Sequence, residues 1–221
     1  MKTVCCYGDS NTWGLEASTE QRLQRWRRWP GVMQRELGDD VHVVEEGLNG
    51  RTTVFDDPFE PGRNGIEHLP VVLQTHAPLE LVIIWLGTND LFVPGGLTAQ
   101  HAARGAITLA EMVRASDAGP DEEPPEALVL VSPPFGPLGV WEQDSPHGEL
   151  ESRAFADAYR RLAEEAQVPL LDLEPFAGTS PIDGIHFDSS EEVHTLGRLY
   201  ETLLREMRDA AGDSGEFYTP R

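Results

Sequence analysis

The sequence predicts an α/β fold built on a five-stranded parallel sheet with helices on both faces, and three observations carry that expectation. Short apolar runs alternate along the chain with longer amphipathic segments, the pattern of repeated βαβ units. Two of the runs, 80–86 and 127–132, are continuous and rich in Val, Ile and Leu, as strands covered on both faces require. At 221 residues the chain can bury one such sheet without staples, and neither an internal repeat nor a second apolar core interrupts it.

In chain order, strands are expected at about 2–7, 41–45, 80–86, 127–132 and 168–173, with the third and fourth at the centre of the sheet. Between the first two, residues 19–37 have helical spacing through Leu23, Trp26, Val32, Met33 and Leu37, with Pro30 set to kink or divide the helix. A Pro/Gly/Asp-rich loop over 56–65 is too long for a simple turn and is expected to line a site. Further helices are expected at about 65–76, 98–116 with Thr98 as N-cap, 146–166 and 189–210. Residues 119–125 read as a charged, proline-rich connector, and 132–137 as a rigid apolar loop at the sheet's carboxyl end. The whole reads as one domain over 1–211 followed by a tail over 212–221.

Composition narrows the classes of function. With 38 acidic and 17 basic residues the net charge is −21, which repels nucleic-acid backbones, anionic membranes and polyanionic substrates. The cluster Arg22 to Arg28, interleaved with Trp26 and Trp29, therefore reads as a solvated face or a subunit contact. The two cysteines, Cys5 and Cys6, are adjacent in an expected strand and point to opposite faces, so they are read as reduced. No apolar run approaches a membrane span and the first strand begins at once, so the expectation is a soluble cytoplasmic protein.

Four strand ends carry candidate chemistry. The first strand stops at Gly8-Asp9-Ser10, which places a small hydroxyl at the carboxyl end of the sheet, where open α/β folds bind their ligands. The third stops at Gly87-Thr88-Asn89-Asp90, where the Asn89 amide is a possible donor, and the second at Glu46 to Thr52, where a glycine amide is another. After the fifth come Asp183-Gly184-Ile185-His186, spaced so that the carboxylate can fold back on the imidazole. Each segment alone reads equally well as an ordinary turn or surface loop. Together they supply a nucleophile, a base, an orienting acid and oxyanion donors at one edge, as acyl transfer needs.

In order and spacing, Gly8-Asp9-Ser10, Gly50, Gly87-x-Asn89-Asp90 and Asp183-x-x-His186 resemble the four signature blocks of the SGNH (GDSL-type) hydrolase superfamily. Longer stretches, among them Gly8 to Gly14, Glu45 to Thr53, Leu86 to Asp90, Val131 to Pro134 and Asp183 to Phe187, look like its aryl esterase/acyltransferase branch. The resemblance implies a flavodoxin-like three-layer α/β/α sandwich of strand order 2-1-3-4-5, without metal or organic cofactor. It implies Ser10 as nucleophile, His186 as base and Asp183 as its acid, with Ser10, Gly50 and Asn89 forming the oxyanion hole. Gly50 is preferred to Gly47 because it directly precedes Arg51-Thr52. Asn11 stands where the family name has Leu, which leaves the reacting atoms unchanged, and Asp9 and Asp90 are read as acids that brace their loops.

The expected activity is hydrolysis of small uncharged esters through an acyl-enzyme, with transfer to an alcohol when one reaches the acyl-enzyme before water. Asn11, Trp13, Phe92, Pro134 and Phe135 are the candidate pocket residues, whose bulk would favour short acyl chains, while Trp85 reads as core. The alternatives are a carbohydrate O-acetyl esterase and a flavodoxin-like binding protein with a vestigial site. Homo-oligomerisation is implied by the resemblance, with contacts sought in the 54–65 and 134–148 loops.

Overall fold

The computed structural model describes residues 2–187. Its five strands, β1 (Lys2–Gly8), β2 (Val41–Gly47), β3 (Leu81–Trp85), β4 (Glu126–Val131) and β5 (Leu170–Asp172), pair in parallel in the order β2-β1-β3-β4-β5. Both the parallel sheet and the strand order agree with expectation. The chain leaves β1 to one side to make β2, then crosses back to place β3 on the other side. The carboxyl ends of β1 and β3 therefore flank the topological switch point, where the connections part and a crevice opens.

Helices α1 (Ser10–Trp13), α2 (Trp29–Leu37), α3 (Gly65–His76), α4 (Ala99–Arg114), α5 (Gly148–Ser152) and α6 (Phe155–Ala166) fill the connections. Strand side chains alternate faces, and the core divides accordingly. Cys5, Tyr7, Val82, Ile84 and Val129 pack against α3, α4 and α6, whereas Val4, Cys6, Ile83, Trp85 and Leu128 pack against α2 and the 173–187 segment. Cys5 and Cys6 thus lie in different core clusters, both free and buried. Every residue of β3 is buried, as its uninterrupted apolar run requires.

Two helix expectations need correction. Residues 19–24 are not helical: a 3-10 turn over Arg25–Arg27 precedes α2, and Pro30 lies in the first turn of α2 instead of kinking a longer helix. Proline is well suited to that place, because its missing N–H is one that no helix bond would use. The expected helix over 146–166 is two, α5 and α6, separated at Arg153-Ala154. Ser152 explains the break: its hydroxyl donates back to the Glu149 carbonyl at 3.1 Å and accepts the Phe135 amide at 2.9 Å. The expected helices at 65–76 and 98–116 form, the latter opened by a reciprocal cap between Thr98 and His101. The expected helix 189–210 and tail 212–221 lie outside the described residues.

Gly87 ties this packing to the site. Its φ is +125°, and a Cβ there would meet the Tyr159 hydroxyl at 1.9 Å, where that hydroxyl donates to the Leu86 carbonyl at 2.9 Å. Gly87→Ala is expected to destabilise the protein by roughly 1–3 kcal/mol from backbone strain alone, with the clash in addition. Adding Tyr159→Phe should recover part of the lost urea midpoint, and no recovery would show that the hydroxyl is not the obstruction.

Candidate functional site

Beyond Gly8 the backbone turns at once into the single turn of α1, because Asp9 caps it: its Oδ1 accepts the Asn11 amide at 2.9 Å. The turn lies flat across the end of β2, where a Cβ on Gly47 would stand 2.2 Å from the Trp13 nitrogen. Ser10 is the first residue of this turn and is 5% exposed. Its Oγ lies 2.8 Å from His186 Nε2.

The histidine is held from its other side. Asp183 Oδ2 lies 2.6 Å from His186 Nδ1, while Asp183 Oδ1 accepts the backbone amides of Ile185 and His186, each at 3.0 Å. Partial burial pushes the Asp183 carboxyl up, but the hydrogen bonds from His186 and these amides, with the imidazole charge, leave it below the ordinary carboxylate range. An ionised Asp183 assigns the proton to Nδ1, so Nε2 faces the Ser10 hydroxyl as an acceptor. The loop is braced from the end of β4: the Gly136 amide donates to the Gly184 carbonyl at 2.9 Å and to Thr179 Oγ1 at 3.0 Å.

Asn89 opens a 3-10 turn after β3, and its Nδ2 donates to the Arg51 carbonyl at 3.1 Å, with a longer contact of 3.4 Å to Asp9 Oδ2. Gly50 has φ +72° in a turn closed by the Arg51 amide on the Leu48 carbonyl at 3.1 Å. Among the described residues, neither the Ser10 nor the Gly50 amide donates to an acceptor. The long loop reaches this corner too: Glu60 Oε2 and Arg63 Nε, paired at 3.2 Å, lie 2.9 and 3.5 Å from where a Gly50 Cβ would be.

Asp9 and Asp90 are both fully buried and both act as braces. Asp90 accepts the Thr53 amide at 3.0 Å and the Thr53 hydroxyl, joining the loop after β2 to the turn after β3. Burial pushes Asp90 up to about 7 and Asp9 up to about 6.

The bulky residues divide. Phe135 is buried in the core, 6.1 Å from Phe92 and 6.0 Å from Phe155, while Phe92 is half-buried and 6.5 Å from Trp141. Trp13 is half-buried beneath the Arg22 guanidinium, 5.0 Å from its ring, and Asn11 and Pro134 are half-buried. Trp85 is core, as expected, with its Nε1 on Ser132 Oγ at 2.8 Å. The Arg22 to Arg28 cluster pairs with acids, Arg25 and Arg28 with Glu45 and Arg27 with Glu16. Sequence reasoning did not single out Arg51, Glu60 or Ser132. Arg51 lies inside a signature block, but an arginine's type and spacing do not distinguish a buried cation from a surface one.

The chain is similar in sequence and fold to known proteins. The family model of GDSL-like lipases and acylhydrolases matches residues 6–195. Among solved structures, a carbohydrate acetylesterase family member from Sinorhizobium meliloti is 42% identical, with 94% of this chain and 99% of that one covered and a TM-score of 0.85. The aryl esterase of M. smegmatis is 36% identical over 93% of this chain and 99% of that one, with a TM-score of 0.84. A second S. meliloti carbohydrate acetylesterase is 34% identical over 94% and 100%, with a TM-score of 0.86. A curated relative, the type I restriction enzyme EcoEI methylase subunit of Escherichia coli, is 35% identical over 77 residues, and the match spans 35% of this chain and 14% of that protein.

The raised carboxyl of Asp90 has a stability consequence of definite sign. The folded state holds its proton up to about pH 7, whereas the unfolded chain releases it near about pH 4. Between those values the folded state binds more protons, so this group's contribution to stability falls as pH rises. In Asp90→Asn, the amide can serve Thr53 with one acceptor and one donor. The stability of native protein relative to this variant is expected to decline from about pH 4 to about pH 7 and then level off. Urea denaturation of both proteins across that range checks it, and a constant difference would contradict the assignment.

Proposed function

Because the chain belongs to the GDSL-like lipase/acylhydrolase family, we propose that it is a serine esterase hydrolysing small uncharged carboxylic esters through an acyl-enzyme. The observation that carries this reading is the unbroken chain of contacts from Ser10 Oγ to His186 Nε2 and from His186 Nδ1 to Asp183 at the sheet's carboxyl edge. Ser10 Oγ attacks the ester carbonyl as His186 Nε2 takes its proton, and the imidazolium is stabilised by ionised Asp183. The Ser10 and Gly50 amides and the Asn89 side chain receive the oxyanion. To do so, Asn89 turns toward it the N–H that makes the long Asp9 contact and keeps the Arg51 carbonyl on the other. Collapse expels the alcohol, protonated by His186, and water activated by the same nitrogen releases the acid. An alcohol in place of that water yields a new ester.

A carbohydrate O-acetyl ester is the second reading. It is favoured by the Glu60–Arg63 pair beside Gly50, a charged rim suited to hydroxyl-rich alcohols, and by the similarity to two carbohydrate acetylesterases. We read the protein as cytoplasmic, which its buried free cysteines favour. We also read it as oligomeric, since Phe59 and Val140 expose apolar surface on the loops where contacts are expected. Among the described residues, no helix is long and apolar enough to cross a membrane.

Two experiments test the reading. Ser10→Ala should abolish ester turnover and fluorophosphonate labelling, and Asn89→Ala should lower kcat by roughly 10²–10³, the range for one lost oxyanion donor. Full activity in Ser10→Ala would end the serine mechanism. A panel of acetate, butyrate and octanoate aryl esters beside acetylated xylo-oligosaccharides, run with and without added alcohol, should favour the acetates and separate acid from ester product. An optimum at octanoate would remove the small-pocket expectation, and acetate release from the oligosaccharides with poor aryl-ester turnover would select the second reading.

A further inference from the structure

Arg51 is 4% exposed and, among the described residues, forms no ion pair. Its guanidinium lies 4.1 Å from the centre of the Tyr7 ring, and its Nη1 donates to two carbonyls at once, Gly8 at 2.9 Å and Glu46 at a shorter separation. Among the described residues its Nε is buried without a partner. Burying a cation without a direct ion pair is costly even with the Glu46 and Asp9 carboxyls nearby, and well-packed apolar residues often serve stability as well or better. The location supplies the reason for keeping it. Gly8 and Glu46 stand at the ends of neighbouring strands, where Gly8 pairs in register with Gly47 and the ladder stops. One Nη1 bridging both carbonyls adds a side-chain tie beside the last backbone bond between these strands, the Leu48 amide on the Gly8 carbonyl at 3.1 Å.

Resting on the esterase reading above, we propose that Arg51 is the positioning residue of the oxyanion hole, setting all three donors relative to one another. Its side chain fixes the β1 end, two residues before Ser10, and the β2 end, four residues before Gly50. Its backbone directly follows Gly50, and its carbonyl holds the Asn89 amide. The ring on which the guanidinium stacks is itself anchored, because the Tyr7 hydroxyl donates to the Gly65 carbonyl at 2.7 Å. A planar guanidinium can stack and bridge together, whereas a lysine ammonium keeps the charge and loses the plane. Donors aligned for an oxyanion act in the transition state, so their misplacement lowers kcat and leaves KM unchanged.

The test uses Arg51→Met and Arg51→Lys on an aryl acetate, alone and in the Asn89→Ala background, with kcat expressed per site titrated to completion by a fluorophosphonate so that unfolded protein is not counted. Arg51→Met is expected to lower kcat roughly 10²-fold, the scale of one lost oxyanion donor, at unchanged KM. The loss should shrink when Asn89 is already absent, because residues acting through one structure are not additive. Arg51→Lys should fall between Arg51→Met and native, and it decides the matter by the same criteria if Arg51→Met yields no titratable sites. A loss under about tenfold, a loss carried by KM, or one that multiplies fully with that of Asn89→Ala overturns the proposal. Those outcomes leave the esterase reading standing, since that fails separately if native protein neither turns over esters nor takes label at Ser10.

Discussion

Three parallel strands that end level, at Gly8, Gly47 and Trp85, are the constraint on which the rest of the structure depends. Parallel register fixes where each chain leaves the sheet, and the strand order parts the connections between β1 and β3 at that edge. Everything placed within a few residues of those ends is then carried to one crevice. Ser10 follows Gly8 by two residues and Asn89 follows Trp85 by four, so their separation in space is set by strand spacing and hardly at all by their separation in sequence. The glycines matter for the same reason: α1 can cross the end of β2 only because Gly47 has no Cβ.

The polar groups gathered there are poor choices for stability alone. Asp9, Asp90 and Arg51 are buried, and burial raises both carboxyls. Each nevertheless holds backbone or an amide at a loop end: Asp9 the α1 turn, Asp90 the Thr53 segment, Arg51 the strand ends. Loops free to relax would leave amides and a hydroxyl near one another without fixing their directions. Buried polar groups bonded to backbone give those directions rigidity, at a cost that the apolar clusters on both faces of the sheet offset.

Much of this was legible in the residues. All five strands were, because apolar runs bounded by Gly, Asp and Asn turns are a strong local signal, and Thr98 was visible as a cap. The helix expected over 19–37 misled because Leu23 and Trp26 happen to share helical spacing with the true helix that begins at Trp29. The helix expected over 146–166 misled because nothing near Ser152 announces that its hydroxyl will be engaged by Phe135 from another loop. Phe135 and Phe92, side by side in sequence-based expectation as pocket residues, part company in burial, since an apolar side chain at a strand end can turn into the core or toward the crevice.

What the sequence by itself determined is the parallel α/β sheet, its order by family resemblance, and the residue types offered at each strand end. Those follow from periodicity and local turn chemistry, which need no knowledge of distant partners. Only the tertiary structure decided that Ser10, His186 and Asp183 stand within hydrogen-bond reach, that Asn89 rests on the Arg51 carbonyl, and that Arg51 is a buried cation bridging two strands. The physical reason is that a side chain's distance, burial and charge environment are set by segments far away in the chain, here 176 residues apart for Ser10 and His186.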